Sequence, residues 1–406
     1  MVRWRRPCQE LLSCGARSIW RSQANSDAAM IDLSSRNDQK NFLDAFRFAQ
    51  RQVRSLVERD PDFYPMYTHR GRWRHELPPW TYWCDGFLPG MMWIFATAEG
   101  NDVQAAWWHE AAVRYTKPLE PRKQDGDVHD LGFIFMTTFH RWHKITDETA
   151  IRDVLVEAGR TLATRYQPRG RFLASFISND SMFIDVMMNV GLLFHTALEV
   201  SSPELMDIAL GTCLTVRRTL VRGDGSVGQE ALFDPESGAF LRQSTQQGYR
   251  PDSCWSRGLA WALYGFSNSF EYCGDARLLL TAEACADFYI QHSPSDGVPP
   301  WDFDAPPSTG APVDTSAAAI AASGLFKLAR AIPDMTKGHL YDQVARRILR
   351  TLCEKHLGAD EGYEGILKNG VYHMHQKLGI GESAIWGEYY FVEALDEAIR
   401  TPELSA

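Results

Sequence analysis

The sequence predicts an all-α protein built as an (α/α)6 barrel, a six-hairpin toroid, and three observations lead to this prediction. Twelve stretches repeat apolar residues at the helical period. Strand-like alternation is confined to residues 227–250 and 361–376, where short hairpins are expected. Two kinds of helix alternate along the chain, one amphipathic and one apolar on nearly all sides. A helix that is apolar all round must be buried on every side, so six such helices are expected to form an inner ring.

The predicted helices, in chain order, give a single barrel domain over residues 36–402. They span residues 38–59, 84–99, 102–117, 129–145, 148–167, 180–199, 203–221, 255–273, 276–292, 314–332, 338–357 and 382–400. The stretch "ETAIRDVLVEAGRTLATRY" is typical of the outer ring, because its charged residues share one face. The inner ring is indicated by apolar stretches rich in Gly, Ala and Met, among them "DLGFIFMTTFH", "SMFIDVMMNVGLLFHTALEV", "SRGLAWALYGF" and "DTSAAAIAASGLFKLA".

Residues 1–35 are predicted to form a tail that is poorly ordered or serves in targeting. The segment is basic at its start but contains no apolar stretch long enough for a signal peptide. The chain has no run of about 18 apolar residues of the kind that spans a membrane. We therefore expect a cytoplasmic protein without a membrane partner, either a monomer or a weak homodimer.

Composition excludes several classes of function. The net charge is −9 and no basic stripe occurs, so nucleic acid is not an expected partner. Eight cysteines are scattered without C-x-x-C spacing, which argues against a zinc or redox motif. His140 and His143, in "HRWHK", have no further ligand nearby and are predicted to lie on an exposed face. We expect no metal and no cofactor. Thirteen tryptophans and fourteen tyrosines favour a carbohydrate site, because aromatic rings stack on sugars.

The starts of the inner helices collect polar and aromatic residues. They read "WCDGF", "HDLGF", "NDSMFID", "WSRGLAW", "DTSAAA" and "ESAIWG". In a toroid of alternating helix direction these starts lie at one end, where Trp83, Trp261 and Trp386 are expected to line a pocket. Free N–H groups at helix N-termini would favour an anion there. The alternative is that Asp, Ser and Asn at these positions only cap their helices.

Two aspartates stand out at this end. Asp130 begins one inner helix and Asp185 lies early in the next, and neither has a Lys or Arg within four residues. A buried carboxylate without a partner is expensive and often has a raised pKa. Two carboxylates that face one pocket are the usual groups for cleaving glycosidic bonds. Two capping aspartates bonded to backbone remain the alternative.

Arg257 also begins a predicted inner helix, where the helix dipole repels a cation. A partner must offset this, either an acidic side chain or a substrate carboxylate held by two hydrogen bonds. Other side chains that could bond sugar hydroxyls at this end are Gln247, Tyr249, His129, His373 and Ser383.

Several segments together resemble the unsaturated glucuronyl hydrolases, glycoside hydrolase family 88. They are "WCDGFLPGMMW", "HDLGF", "FIDVMMN", "FDPESG", "TQQGYRPDSCWSRGLAWALYG", "PPWDFDAP", "DTSAAAIAASGL" and "ESAIWGEYYFVEAL", from about residue 80 to 397. The resemblance implies an (α/α)6 barrel and an enzyme that removes a 4,5-unsaturated uronic acid from the non-reducing end of lyase-generated oligosaccharides. Members of the family hydrate the vinyl ether rather than attack the anomeric carbon.

The resemblance also implies residue roles. Asp185 matches the general acid/base and Asp130 the second, assisting aspartate. Trp83, Gln247, Arg257 and Trp261 match substrate-binding positions, and His129 belongs to the same motif as Asp130. The chain departs from the family at Gln229, which stands just before "FDP" where a histidine near the sugar is usual. A glutamine there would hydrogen-bond the substrate but cannot change charge near neutral pH.

Three alternatives remain at the level of sequence. The unsaturated rhamnogalacturonyl hydrolases share the fold and the chemistry. Sugar epimerisation on the same fold usually requires a pair of pocket histidines. The paired aspartates of this chain argue against that activity. A non-catalytic sugar-binding barrel would retain binding without turnover.

Overall fold

The computed structural model describes residues 16–76, 82–98, 102–307 and 311–401, with backbone alone over 16–36, and helices dominate this part of the chain. The helices are α1 (Ala16–Arg59), α2 (Phe87–Ala98), α3 (Asp102–Thr116), α4 (Leu131–Phe135), α5 (Phe139–Thr146), α6 (Thr149–Ala163), α7 (Val186–Glu199), α8 (Pro203–Thr219), α9 (Ser256–Cys273), α10 (Ala276–His292), α11 (Thr315–Ala331), α12 (Met335–Lys355) and α13 (Ile385–Arg400), with a 3-10 helix at Lys117–Gln124.

The strands are short and all pair antiparallel. They are β1 (Thr68–His69), β2 (Arg72–Trp73), β3 (Tyr166–Gln167), β4 (Phe172–Leu173), β5 (Ser181–Phe183), β6 (Glu230–Phe233), β7 (Phe240–Ser244), β8 (Gly370–His373) and β9 (Leu378–Glu382). β5, β6 and β7 form one three-stranded sheet, and the other strands form two-stranded hairpins. The predicted hairpin region 227–250 contains β6 and β7, which pair. The predicted region 361–376 contains only β8, because its partner β9 begins at Leu378.

The helices form two concentric rings. α2, the pair α4 and α5, α7, α9, α11 and α13 contact one another in that order, and α13 contacts α2 to close the ring. The outer helices pack against these from outside, α3 on α2, α8 on α7, α10 on α9 and α12 on α11. The predicted (α/α)6 barrel is confirmed.

Small residues let the inner helices approach closely. On α11, a Cβ at Gly324 would stand only 3.0 Å from the Cα of Tyr264 on α9. On α9, a Cβ at Gly265 would stand 2.5 Å from the carbonyl oxygen of Met187 on α7. Because both positions lack a side chain, the three helices can pack backbone to backbone in the centre of the barrel.

The predicted inner helix 129–145 is broken into α4 and α5. The hydroxyl of Thr137 donates to the carbonyl of Phe133 at 2.6 Å, and that of Thr138 donates to the carbonyl of Ile134 at 2.5 Å. Such bonds back to the preceding turn compete with the helix ladder and bend helices. Consecutive threonines therefore explain the break, which apolar periodicity alone does not reveal.

The next predicted helix, 180–199, begins later than expected. Residues Ser181–Phe183 form β5, which pairs with β6, so α7 begins only at Val186. In the N-terminal region, α1 begins before the predicted helix 38–59, while residues 1–15 of the predicted tail lie outside the described residues. No helix in the described ranges is long and apolar enough to cross a membrane.

Candidate active site

A cavity of about 370 Å³ opens at the end of the barrel where the inner helices begin. The cavity is lined by Trp83, His129, Asp130, Phe176, Ile177, Phe183, Asp185, Gln246, Gln247, Trp255, Arg257, Tyr372, His373, His375 and Gln376. The structure thus brings together many of the predicted site residues, namely Trp83, His129, Asp130, Asp185, Gln247, Arg257 and His373.

Asp130 and Asp185 each stand immediately before an inner helix, at the N-caps of α4 and α7. Neither carboxylate bonds the N–H groups of its own helix, so neither acts as a side-chain cap. Asp130 is 5% exposed. One oxygen of Asp185, Oδ2, is buried and has no hydrogen-bond partner among the described residues. The two carboxylates therefore face the cavity rather than serve their helices.

Asn189 joins the starts of the two helices that follow the aspartates. Its Oδ1 accepts from the backbone N–H of Phe133 at 3.0 Å, and its Nδ2 donates to the backbone carbonyl of Asp185 at 3.0 Å. The side chain thereby fixes the start of α4 to the start of α7. Gly132 permits this contact, because a Cβ there would stand 2.4 Å from the Cα of Asn189.

Gly132→Ala is expected to lower the free energy of unfolding by about 1–3 kcal/mol, the usual cost of overpacking. The new Cβ would also stand 2.8 Å from the carbonyl oxygen of Asn189, so α4 and α7 must separate. Chemical denaturation measures the loss. Gly126→Ala is the matched control, because the nearest atom to its Cβ would be 3.7 Å away. Equal stability of the two variants would contradict the close contact.

The environment of Asp185 raises the pKa of its carboxyl group. Burial raises the pKa of Asp185 to about 6, with His129 lowering it, Asp130 raising it and Arg257 lowering it. Burial acts most strongly because the charged form loses its hydration. Asp185 is therefore a carboxyl group that can hold a proton in mildly acidic solution.

His129 is held as a neutral ring beside Asp130. Its Nδ1 accepts from the backbone N–H of Phe176 at 3.2 Å, so the proton of the neutral ring lies on Nε2. Nε2 is 3.4 Å from Oδ1 of Asp130. Burial lowers the pKa of His129 to about 4. The Nε2–H group of His129 can thus donate a hydrogen bond to Asp130, and the neutral ring adds no charge to the cavity near neutral pH.

Arg257 is 1% exposed and has an acidic partner within the protein. Its guanidinium donates to Oδ2 of Asp314 at 3.3 Å and to the backbone carbonyls of Tyr372, at 2.8 Å, and Val371. It also donates to Oε1 of Gln247 at 2.6 Å. Of the two partners that the sequence left open, the structure contains the acidic side chain, which offsets the unfavourable helix position.

The bond from Arg257 orients Gln247. Because Oε1 of Gln247 accepts from Arg257, its Nε2 is left as the group that can donate into the cavity. Gln229 holds the segment that carries Gln247 from the side away from the cavity. Its Oε1 accepts from the hydroxyl of Thr245 at 2.6 Å and from the backbone N–H groups of Gln246 and Gln247 at 2.8 Å.

Some predicted substrate contacts lie behind the cavity wall. Gln229 is 2% exposed and shapes the loop that carries Gln247 instead of lining the cavity. Trp261 is fully buried between the rings of Phe133 and Tyr390, at 5.1 and 5.5 Å. Ser383 is buried and donates to the carbonyl of Leu367. In this structure these three side chains can act on a ligand only through their neighbours, because each is enclosed by packing. The sequence position of these residues did not reveal that packing.

Other lining residues come from loops and hairpins that the helical pattern could not assign. Phe176 and Ile177 are 37% and 50% exposed and lie in the connection before β5. His375 and Gln376 lie in the turn between β8 and β9. Tyr249, a predicted contact, is 40% exposed and does not line the cavity. A signal existed for Phe176 and Ile177, since an apolar pair among Ser and Asn residues is typical of an exposed binding loop.

Comparisons with known proteins identify the family. The family model described as Glycosyl Hydrolase Family 88 matches residues 63–393. An unsaturated glucuronyl hydrolase of Bacillus sp. (strain GL1) is 30% identical over 364 residues, covering 87% of this chain and 94% of the relative. One from Formosa agariphila is 33% identical over 332 residues, covering 79% of this chain and 80% of the relative.

The structural comparison gives a similar result. The crystal structure of the unsaturated glucuronyl hydrolase from Bacillus sp. GL1, described as responsible for the degradation of glycosaminoglycan, superposes with a TM-score of 0.82. It is 28% identical to this chain, and the match covers 87% of this chain and 96% of that one.

Proposed function

The chain belongs to Glycosyl Hydrolase Family 88, and we propose that it removes a 4,5-unsaturated uronic acid from the non-reducing end of oligosaccharides that polysaccharide lyases have cut. The observation that carries this proposal is that two carboxyl groups with different surroundings share one cavity. Asp185 has a raised pKa and an oxygen without a hydrogen-bond partner among the residues that the structure describes, and Asp130 lies beside a neutral histidine. The curated relatives named unsaturated glucuronyl hydrolases support the substrate class.

The proposed reaction is hydration of the vinyl ether. Asp185 in its protonated form gives its proton to C4, and positive charge develops at C5 and the ring oxygen. The ionised Asp185 then takes a proton from the water that adds to C5. The resulting hemiketal opens to a ketone at C5, and the hemiacetal left at C1 collapses to an aldehyde and releases the aglycone. A nearby carboxylate, Asp130, would stabilise the charge at C5, and its burial strengthens this interaction.

Recognition of the uronate carboxylate is assigned to Gln247 and to the positive charge of Arg257. Both terminal nitrogens of Arg257 already donate to protein acceptors. Arg257 therefore acts on the substrate through its charge and through its hold on Gln247, whose Nε2 can donate to the carboxylate. Phe176 and Ile177, at the exposed side of the cavity, would contact the aglycone.

The proposed role of Asp185 sets the pH dependence. The rate requires protonated Asp185, which is present below its pKa and is lost as the pH rises through about 6. We expect kcat/KM to fall about tenfold per pH unit above that value, since this parameter reports the free enzyme. A profile of kcat/KM against pH, with a lyase-derived disaccharide as substrate, measures this falling limb. A rate that keeps rising toward alkaline pH would contradict Asp185 as the proton donor.

The falling limb is also expected to depend on Asp130. Because the charge of Asp130 raises the pKa of Asp185, Asp130→Asn should move the limb toward lower pH. The residual activity of Asp130→Asn, measured across the same pH range, gives the position of this limb. A limb that stays at the same pH would show that the two carboxyl groups do not interact electrostatically.

The proposed function is tested with a panel of unsaturated disaccharides from glycosaminoglycan, alginate-type and rhamnogalacturonan lyase digests. The conjugated uronate absorbs in the ultraviolet, so its loss can be followed continuously, and mass spectrometry identifies the released sugar. We expect turnover of at least one glucuronyl-type disaccharide. Turnover restricted to the rhamnogalacturonan-derived substrate would assign the chain to the neighbouring activity. Binding without turnover of any member would indicate a non-catalytic barrel.

A further inference from the structure

The segment that carries Asp130 continues into a very short helix. α4 contains only five residues (Leu131–Phe135), because the inner helix breaks after it. The same break lets α5 follow its own direction, so His140 and His143 line a cavity between the inner helices. The prediction that these two histidines lie on an exposed face is therefore wrong. A single helical turn is not stable by itself, so the position of Asp130 depends on what α4 contacts.

Asp185, in contrast, is held by a longer helix and by a sheet. α7 has 14 residues, and the N–H of Met188 donates to the carbonyl of Asp185 at 3.0 Å. β5 pairs with β6 just before Asp185, and the N–H of Ile184 donates to the carbonyl of Gln229 at 2.8 Å. The backbone of Asp185 is thus fixed on both sides, whereas Asp130 needs an anchor.

Asn189 supplies that anchor. Its side chain is fully buried on α7, one helical turn after Asp185. Oδ1 accepts from the N–H of Phe133 on α4, and Nδ2 donates to the carbonyl of Asp185, both at 3.0 Å. The N–H of Phe133 also donates to the carbonyl of Asp130 at 3.1 Å. One side chain is therefore bonded both to Asp185 itself and to the backbone group that holds Asp130.

The link requires an acceptor and a donor on one short side chain. Leucine has a similar volume but can bond neither group, and an ionised aspartate would place an acceptor against the carbonyl of Asp185. The contact leaves no room for adjustment, since a Cβ at Gly132 would stand 2.9 Å from Oδ1 of Asn189. The amide of Asn189 therefore fixes how far α4 stands from α7.

The separation of the two carboxyl groups affects the electrostatics of the cavity. The titratable and charged groups that line the cavity with Asp185 are Asp130, His129, Arg257, Tyr372, His373 and His375. Burial raises the pKa of Asp185 most, and the charge of Asp130 raises it further. The contribution of Asp130 decreases as the two carboxyl groups move apart, because it is Coulombic.

From this geometry we propose that Asn189 is a positioning residue of the reaction, which sets the separation of Asp130 and Asp185 and with it the rate of proton transfer. The proposal rests on the proposed function, because it assumes that these two carboxyl groups act on the substrate. Asn189 does not line the cavity, so it acts through the two backbone segments and not on the sugar.

Asn189→Leu is the test variant. We expect it to lower kcat on an unsaturated disaccharide about tenfold to a hundredfold, the effect typical of a small misplacement of a reacting group. KM should change much less, because Asn189 makes no contact with Gln247 or Arg257, to which the uronate is assigned.

Thr196→Val is the matched control, because the hydroxyl of Thr196 is another buried hydrogen-bond donor on α7. It donates to the carbonyl of Leu155 on α6 at 3.4 Å, away from the two aspartates. This control should keep the wild-type kcat and KM. Wild-type kcat in Asn189→Leu would overturn the proposal.

The falling limb of kcat/KM against pH separates positioning from general stability. In Asn189→Leu this limb should move toward lower pH, because Asp130 acts less strongly on Asp185. In the Asp130→Asn background, Asn189→Leu should produce no further shift, since the two changes remove the same interaction. A limb that does not move in Asn189→Leu, or that moves equally with and without Asp130, would contradict the proposed role.

Carboxyl-carbon NMR on protein labelled at aspartate gives the pKa of Asp185 without any substrate, and Asp185→Asn assigns the signal. If the wild-type protein turns over no disaccharide, the proposed function fails, while this titration still tests the placement of the two carboxyl groups. Gly132→Ala pushes α4 away from Asn189 and provides a second variant if Asn189→Leu does not fold. Both variants are expected to lower the pKa of Asp185, and an unchanged pKa would show that Asn189 only stabilises the fold.

Discussion

Asp185→Asn is expected to reduce kcat on unsaturated disaccharides by about 10²–10⁴-fold or more, the contribution typical of a positioned proton donor. The amide has nearly the shape of the carboxyl group but holds no proton that it can transfer to C4. The dissociation constant of the substrate should change little, because Oδ2 of Asp185 makes no hydrogen bond within the described part of the chain that the amide would lose. Steady-state kinetics and equilibrium titration measure the two quantities.

The matched control for this variant is Asp127→Asn. Asp127 is an exposed aspartate in the loop before α4, and its replacement removes one charge from the same region without reaching the cavity. We expect wild-type kcat in this control. Near-normal turnover in Asp185→Asn would remove Asp185 from the mechanism, and a large loss of binding in that variant would mean that its main role is to hold the sugar.

Arg257→Met is expected to lower the free energy of unfolding by about 3–5 kcal/mol, the usual cost of leaving a buried charge without its partner. Asp314 is fully buried, and Arg257 is the cation that contacts it. Arg257 also holds the backbone carbonyl of Tyr372 and the side chain of Gln247. Urea denaturation measures the stability, and a substrate titration measures the accompanying loss of uronate binding.

Asp314→Asn in the Arg257→Met background separates the two effects. Asn at this position can still accept from the N–H of Ser316, as Asp314 does at 3.0 Å, but it carries no charge. The double variant should recover much of the lost stability and none of the lost binding. If Arg257→Met were as stable as wild type, the ion pair inside the barrel would be of little consequence and Arg257 would serve the substrate alone.

Much of the fold could be predicted from the sequence, because a helix apolar on all sides has to be enclosed. The inner helices α7, α9 and α11 follow this logic, and their Gly and Ala residues allow the close approach that the barrel requires. The break after Phe135 could not be predicted, since it depends on hydroxyl bonds of Thr137 and Thr138 rather than on apolar periodicity. The same break places His140 and His143 inside the barrel.

Site residues that lie at the start of an inner helix could be predicted from the sequence. Asp130 and Asp185 were identified because a buried carboxylate without a cationic partner is costly, and Arg257 because the helix dipole repels a cation at a helix start. The partner of Arg257 was not, because Asp314 is distant in sequence and meets it only when α9 and α11 pack together. Gln229 lies one layer behind the cavity because the segment of Gln246 and Gln247 folds over it.

The chain is proposed to hydrate an unsaturated uronyl residue and thereby to release the sugar attached to it. The most direct test follows ultraviolet absorbance and aglycone release together in one reaction of the wild-type protein with an unsaturated disaccharide. Hydration predicts that absorbance is lost no later than the aglycone appears, because the double bond is consumed before the hemiketal opens. Release of the aglycone while the absorbance persists would show attack at the anomeric carbon and would contradict the proposed mechanism.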